Sequence, residues 1–457
     1  MPYVLKVVTE YRGDHTGREV LLPALLTQNG ILLSHIRYLA DIKFIHRSAS
    51  WRERSVFALK LLIKFINSNG QEITKVTDLL SAFALALEIG TINVSTQTDP
   101  SGLYWSPRKI DDAKTLLGHI TSYTDWLAEQ ADYMAVRANP FREATYVEQQ
   151  LNWCAYYQKE SNIFLRHLRN SDDAASSNSR TRSVKTSNPS KSTRPATKRF
   201  PESEIHNLLQ NGWVRRNGSP DATKHDFIDY KGRAINILIH YGGLRKSEVF
   251  HMFLIDLIPD KKKNDVIVRI YHPSNGRLPD DVVGYTNRMD YLSRRYRMLP
   301  RNKYIKSHSL HAGWKEPLLS EGADGYIEVH FFPMKMSKEF LYNYMMYLKH
   351  QRVDPLPGAD HPYAFTNTQG SPETVKNFNR QHRDAVNRIG LVHAKRLGTT
   401  EHGHRHAYGQ RLTNAGLNEV VIQKAMHHKS LESQEVYTGP SDEDVRRELS
   451  RSERSGG

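Results

Sequence analysis

The chain has 457 residues, 39% of them hydrophobic, and its 27 glycines bring the apolar share near the ~45–50% of globular proteins, so most of it can build cores. Lys and Arg outnumber Asp and Glu by 64 to 49, a net charge of +15 that favours polyanionic partners: DNA, RNA or an acidic membrane surface. A single cysteine, Cys154, excludes intramolecular disulfides and cysteine-rich zinc modules, and no apolar run reaches the ~18–20 residues of a membrane span. The expectation is a soluble, basic, cytoplasmic protein with no membrane partner. At roughly 150 residues per domain it has room for two to four domains.

Residues 1–49 have no assignment beyond a strand at 3–8. From residue 50 the pattern turns helical. Apolar side chains fall at three-to-four spacing from Val56 to Ile66, and Ser68-Asn69-Gly70 supplies a stop. Residues 76–89 and 110–128 repeat the pattern, the second after a Ser106-Pro107 start signal, and 146–168 adds a fourth helix. Residues 50–170 therefore read as an all-α helical bundle with basic edges. Residues 171–200 differ sharply: Val184 is the lone branched aliphatic among seven basic and two acidic side chains. Such a stretch buries too little apolar surface to offset its ordering entropy. It reads as a flexible basic linker, either a solvated tether or one lying along a phosphate backbone.

Residues 201–441 form a second unit, mainly α with a small antiparallel sheet. Helices are expected at 203–210, 226–241, 247–254, 337–351, 374–389, 404–414, 419–427 and 431–437. Strands are expected at 265–272 and 325–332, where β-branched and aromatic residues alternate with polar ones. An insertion occupies about 278–325, and 442–457 begins as a charged helix and ends as a polar tail.

Three motifs in this unit carry chemistry. Gly242-Gly243-Leu244-Arg245-Lys246-Ser247-Glu248 breaks an apolar helix and starts another, with Ser247 as candidate N-cap and Arg245 at the junction. The alternative is an arginine paired with Glu248 on a surface helix. Thr400-Glu401-His402-Gly403-His404-Arg405-His406 places His402 and Arg405 on one face. His402, His404 and His406 also crowd together as a metal site would, but H-E-x-x-H is absent and no cysteine lies near, so no metal or other cofactor is expected. Met426-His427-His428-Lys429-Ser430 precedes a segment carrying Tyr437. Taken alone, His428 is as well a structural hydrogen-bonder, and Tyr437 a packed amphipathic residue.

Together these boxes resemble the catalytic domain of the tyrosine recombinases, the lambda-integrase-like family of site-specific DNA recombinases and phage integrases. The order is Arg245, His402-x-x-Arg405, His428, Tyr437; from His402 the steps are 3, 26 and 35 residues. The resemblance covers about 201–441 and extends loosely to 50–170 as the family's core-binding domain. It implies that Tyr437 is the nucleophile, His402 the general base, Arg245 and Arg405 the phosphate clamp, and His428 a phosphate hydrogen-bonder. The product would be a 3′-phosphotyrosyl bond and a free 5′-hydroxyl, and a second strand's hydroxyl would reverse it. The two departures in the boxes are His404 where the family often has Leu, and His427 where it often has Gly.

Elementary chemistry agrees with these roles. Attack on a phosphodiester builds charge on the non-bridging oxygens, which planar guanidinium forks stabilise. A phenol with a pKa of about 10 needs a neighbouring base, worth ~10²–10⁴ in rate. The family's general acid is a Lys in a β-hairpin after the first Arg box, yet residues 265–277 contain none. Lys315 in Gly313-Trp314-Lys315 is the candidate, with Arg277, Lys303, Lys306 and Lys335 as rivals. Residues 291–306 interleave six basic residues with three tyrosines, which suits backbone contact plus packing on sugars or bases through Arg294, Arg295, Arg297, Lys303 and Lys306. The alternative there is a solvated helix with its tyrosines turned inward.

The resemblance implies a bacterial, nucleoid-associated DNA integrase or recombinase of a mobile element. Residues 50–170 and 201–441 would clamp duplex DNA, with four copies at synapsis and accessory DNA-bending or directionality proteins as further partners. A type IB topoisomerase, or a DNA-binding relative that has lost cleavage, are the alternatives.

Overall fold

The structure is a computed structural model that describes residues 3–12, 19–44, 46–69, 73–160, 178–187, 198–215, 223–260, 265–320, 324–429 and 446. The chain divides into two compact units, Met1–Lys191 and Ser192–Gly457.

The first unit opens with a β-hairpin, whose first strand takes in most of the one expected at 3–8 and whose second had no assignment. Strands β1 (Val4–Arg12) and β2 (Glu19–Thr27) pair antiparallel from Val4 opposite Thr27, and the short β3 (Gly30–Ile31) adds to β2. Helices α1 (Leu33–Ala40), α2 (Ala49–Asn69), α3 (Val76–Ile89) and α4 (Ile110–Glu129) follow. Val4, Leu22, Ala24 and Leu25 of the hairpin share one core with Val56, Leu59, Phe83, Leu116 and Ile120 of the helices. Hydrogen bonds from Trp126 to Asp41 (2.8 Å) and from Tyr38 to Ser122 (2.8 Å) tie α4 to the α1 region. α2 ends at Asn69, beside the expected stop. The helix expected at 146–168 is described as α5 (Tyr146–Glu160), after the short strand β4 (Phe141–Glu143).

The middle of the expected linker is packed. Strand β5 (Arg180–Arg182) pairs antiparallel with β4, and Val184 is buried in the core. Asn139 grips Val184 from both sides: its amide donates to the Val184 carbonyl (3.0 Å), and its oxygen accepts from the Val184 N–H (2.8 Å). Arg182 forks onto Asp125. One apolar anchor plus satisfied backbone groups orders a stretch whose composition alone argues against order. Residues 161–177 and 188–197 lie outside the described residues.

The second unit is built on α6 (Tyr230–His240), almost every side chain of which is buried. Strands β6 (Leu257–Asp260), β7 (Asp265–Tyr271) and β8 (Tyr326–Glu328) form an antiparallel sheet, β7 central, with Val266, Val268 and Ile270 alternating inward as a one-sided strand requires. Helices α9 (Met336–His350) and α10 (Val375–Arg388) cover this core through Phe340, Tyr344, Tyr347, Phe378 and Val386. The one helix expected at 203–210 is instead a succession of 3₁₀, α and π turns over 202–212. The wider π turn brings Gly212 against Ala385, leaving no room for a Cβ, and Arg388 donates to its carbonyl. The helix expected at 247–254 is only α7 (Lys246–Val249). Its backbone is turned by buried Asp256, whose carboxylate accepts from the Phe253 N–H at 2.7 Å.

The insertion is docked by two buried arginines. Arg288, at the start of α8 (Arg288–Tyr296), pairs with Asp256, both fully buried, and lies between the Phe253 and Tyr271 rings at 4.3 Å from each. Arg301 donates to the Glu373 carbonyl (2.8 Å) and lies 4.3 Å from the Tyr363 ring centre. Helices α11 (Glu401–Asn414) and α12 (Glu419–Met426) complete the described part. No helix among the described residues is long and apolar enough to cross a membrane.

Candidate active site

Arg245 is set by its backbone. Gly243 takes a left-handed φ of +67°, and any Cβ there would meet the Tyr408 ring at 2.4 Å, so the tight turn after α6 needs glycine. Arg245 itself, not Ser247, is the N-cap of α7: its N–H donates to Glu248 Oε2 (2.7 Å) and its Nη1 to Oε1 (2.7 Å). The pairing with Glu248 weighed from sequence is therefore real. It is not a surface pair, because Glu248 is fully buried while about a fifth of the Arg245 side chain reaches solvent.

α11 begins at Glu401, three residues before the expected start, so His402 and Arg405 ride the same helix. Gly403 lets its first turn touch the preceding loop: a Cβ there would lie 1.7 Å from the Gly398 carbonyl. Arg405 is fully buried and donates to the Gly243 carbonyl and, at 2.5 Å, to the Met426 carbonyl. One guanidinium thus joins the Arg245 turn, its own helix and the end of α12. Directly after that end, His427 caps α12 in a left-handed conformation at φ +55°. Such a cap is cheapest for glycine, and this chain carries the strain with a buried imidazole.

These contacts converge four of the five expected catalytic residues. The His402 pKa falls to about 4 through enclosure by the protein and the charges of Arg405, Lys315, Arg245 and Lys395. His428, buried, falls to about 3 through burial and the charges of Arg405 and Arg245. Both guanidiniums therefore act on both imidazoles, and both rings are neutral at pH 7, able to accept or donate one proton. Tyr437 and the helix expected at 431–437 lie outside the described residues.

Lys315 sits on a loop held at the site. Trp314 packs its ring 5.5 Å from those of His251 and His272, and the Leu318 N–H donates to the His427 carbonyl (3.2 Å). Of the rivals, Arg277 is tied to Asp280 and Asp324, and the Lys303 charge acts on His272. Lys395, which no motif singled out, lies close enough to lower both His402 and His406.

The three crowded histidines do not converge on a point. His402 and His406 meet edge to face at 4.4 Å, whereas His404 points the other way, stacked on Phe200 at 4.1 Å and hydrogen-bonded to His240 and His382. Donor atoms of His382, His393 and Glu401 do lie within 4.8 Å of one another. There the Lys246 ammonium already sits 3.2 Å from Glu401 Oε2, and His393 Nε2 3.3 Å from Oε1. The set is an ion-paired carboxylate with its own cation.

On the insertion, Arg294, Arg295, Arg297, Lys303 and Lys306 are all exposed. Of the three tyrosines, Tyr291 is turned inward, buried beside Leu292 and Phe253 with its hydroxyl 3.0 Å from that of Tyr296, while Tyr296 and Tyr304 are half-buried. Apolar ring area is worth more in this small core than in water, which turns the Tyr291 ring inward.

Residues 330–444 match the sequence family described as the phage integrase family. No curated protein sequence matches the chain. Among solved structures, XerH site-specific recombinase bound to palindromic difH substrate in a post-cleavage complex is 13% identical, with 89% of this chain and 81% of that chain covered at a TM-score of 0.47. XerA recombinase is 13% identical (92% and 97% covered, TM-score 0.35), and the Tn1549 transposon integrase in complex with a circular intermediate DNA is 14% identical (86% and 98% covered, TM-score 0.33).

Proposed function

We propose that this chain, whose residues 330–444 carry the phage integrase family segment, is a tyrosine recombinase that cleaves and rejoins duplex DNA. One observation carries the reading: Arg405, on the same helix as His402, holds the Gly243 carbonyl two residues before Arg245 and the Met426 carbonyl two residues before His428. A phosphodiester drawn to that point meets two positive charges and two neutral imidazoles.

Arg245, the partly exposed guanidinium, takes a non-bridging oxygen, and Arg405 supplies the second charge from within the fold. The Tyr437 phenol loses its proton to His402 and attacks phosphorus, while His428 donates to a second non-bridging oxygen. The 5′-oxygen leaves with a proton from Lys315, whose charge already acts on His402. The phosphotyrosyl ester keeps the energy of the broken bond, so a 5′-hydroxyl from another strand can displace Tyr437 and seal a new junction without ATP. Exchanging two duplexes takes four such cleavages, hence four copies of the chain on DNA, at the bacterial nucleoid, with accessory bending or directionality proteins as further partners. Integration or excision of a mobile element is the use this chemistry serves.

A plasmid carrying two copies of the cognate site tests the reading against topoisomerase action. Recombinase action yields two product circles and little relaxation of a plasmid without sites. Efficient relaxation of any supercoiled plasmid, with no exchanged product, would replace it with the topoisomerase reading.

A further inference from the structure

Behind the face that carries His402, three fully buried imidazoles stand in line: His240 at the end of α6, His404 on α11 and His382 on α10. Their protons can be placed by elimination. Arg411 Nη2 lies 2.6 Å from His240 Nε2, well inside the 3.5 Å to Glu202 Oε2, and a guanidinium only donates, so that nitrogen accepts from the nearer group and the His240 proton is on Nδ1. His240 Nδ1 lies 3.0 Å from His404 Nδ1, which must then accept, leaving the His404 proton on Nε2. His404 Nε2 lies 2.8 Å from His382 Nε2, so His382 carries its proton on Nδ1, the nitrogen facing Glu401 Oε1 at 3.5 Å. Burial lowers the pKa of all three rings, which keeps one proton on each. The line therefore has a single direction, from Arg411 to Glu401.

Both ends return to Arg245. His240 leads into the Gly242-Gly243-Leu244 turn that presents Arg245, and Glu401 pairs with Lys246, the next residue in the chain. His402 lies between Glu401 and His404 on the same helix, inside this closed circuit. We infer that His240, His404 and His382 are positioning residues, a one-directional imidazole relay that fixes the first turn of α11, and with it His402, against the Arg245 turn. This rests on the recombinase reading for what is positioned, though not for the relay itself. An aliphatic residue at 404 would leave the His240 Nδ1–H and the His382 Nε2 buried without partners. A glutamine could accept from one and donate to the other.

The test uses the full chain with ¹⁵N-labelled histidine, together with His404→Leu and His404→Gln. Ring nitrogen shifts should show His240 and His382 protonated on Nδ1 and His404 on Nε2; His382 protonated on Nε2, or added zinc displacing the His382 resonances, would overturn the relay. In single-turnover cleavage of nicked DNA, His404→Leu should slow the reaction by about 10-fold or more at unchanged DNA affinity, and His404→Gln should stay within about 3-fold of wild type. Equal rates for His404→Leu and wild type, or equal losses in a folded His404→Gln, would overturn it. If His404→Leu does not fold, the glutamine variant and the ring shifts decide. Absence of cleavage by the wild type would instead remove the recombinase reading and leave the ring shifts to judge the relay.

Discussion

The Arg405 guanidinium donates to the Met426 carbonyl at 2.5 Å and, on its other nitrogen, to the Gly243 carbonyl. A buried cation held by carbonyls at two distant points of the chain is both a fastener and a source of positive potential. Arg405→Lys keeps the charge but cannot span both acceptors, because an ammonium lacks the planar fork. Cleavage should fall by about 10²-fold or more, and the melting temperature should drop as well, measured by single-turnover kinetics and thermal melts. Loss of rate with an unchanged melting temperature would show that the fastening role is wrong.

The docking of the insertion rests on Arg288 and Asp256. Asp256→Ala leaves a fully buried guanidinium without its anion and should destabilise the second unit by ~3–5 kcal/mol. Replacing both, with Arg288→Met and Asp256→Leu, should recover much of that loss. Denaturant unfolding of the two variants and the wild type makes the comparison, and a loss in the double variant as large as that of Asp256→Ala would contradict it.

Lys315→Ala should slow cleavage of ordinary DNA by about 10²-fold or more, because the departing 5′-oxygen then lacks its proton donor. With a sulfur in place of that oxygen the leaving group needs no acid, so the variant should cleave at close to the wild-type rate. A variant equally slow on both substrates would make Lys315 a phosphate contact only.

Stability should depend on pH through the buried rings. His240, His251 and His428 are lowered to about 4, 3 and 3, chiefly by burial. Below the ordinary 6.5 the unfolded chain takes up protons that the folded chain refuses, so stability is full above pH 6.5 and is lost as pH falls toward 3–4. At ~1.4 kcal/mol per unit, each fully buried ring can contribute a few kcal/mol across that range. Melting temperature should already decline between pH 6.5 and 5, before ordinary carboxylates titrate. A flat profile in that window would contradict the burial of these rings.

The exposed basic edge of the insertion predicts salt-dependent binding. Arg297→Gln or Lys303→Gln should each reduce the slope of log affinity against log salt by about 1, with little change in sequence preference. Unchanged slopes would move the DNA path away from the insertion.

Much of the site was legible because its chemistry sits in short boxes whose spacing is read along one dimension. Arg245, His402, Arg405 and His428 could be singled out that way. The carbonyl grip of Arg405 could not, since its acceptors are backbone atoms with no sequence signature. Neither could Lys395, an ordinary lysine that the fold brings near His402. Composition misjudged residues 178–187 because two specific polar clamps, Asn139 on Val184 and Arg182 on Asp125, outweighed a low apolar content. Periodicity overran at 247–254 because one buried carboxylate, Asp256, redirects the backbone there. Of the hairpin only the strand at 3–8 was expected; its partner over 19–27 escaped assignment because Leu22, Ala24 and Leu25 pack against helices that come later in the chain.

Every step of the proposed reaction passes through covalent attachment of DNA to one phenol. Incubating the full-length protein with a nicked suicide duplex bearing its site, then denaturing in SDS, should give a protein–DNA adduct whose DNA-linked peptide contains Tyr437; Tyr437→Phe should give none. An adduct of equal yield in Tyr437→Phe, or a wild-type adduct mapping to another residue, would contradict the account.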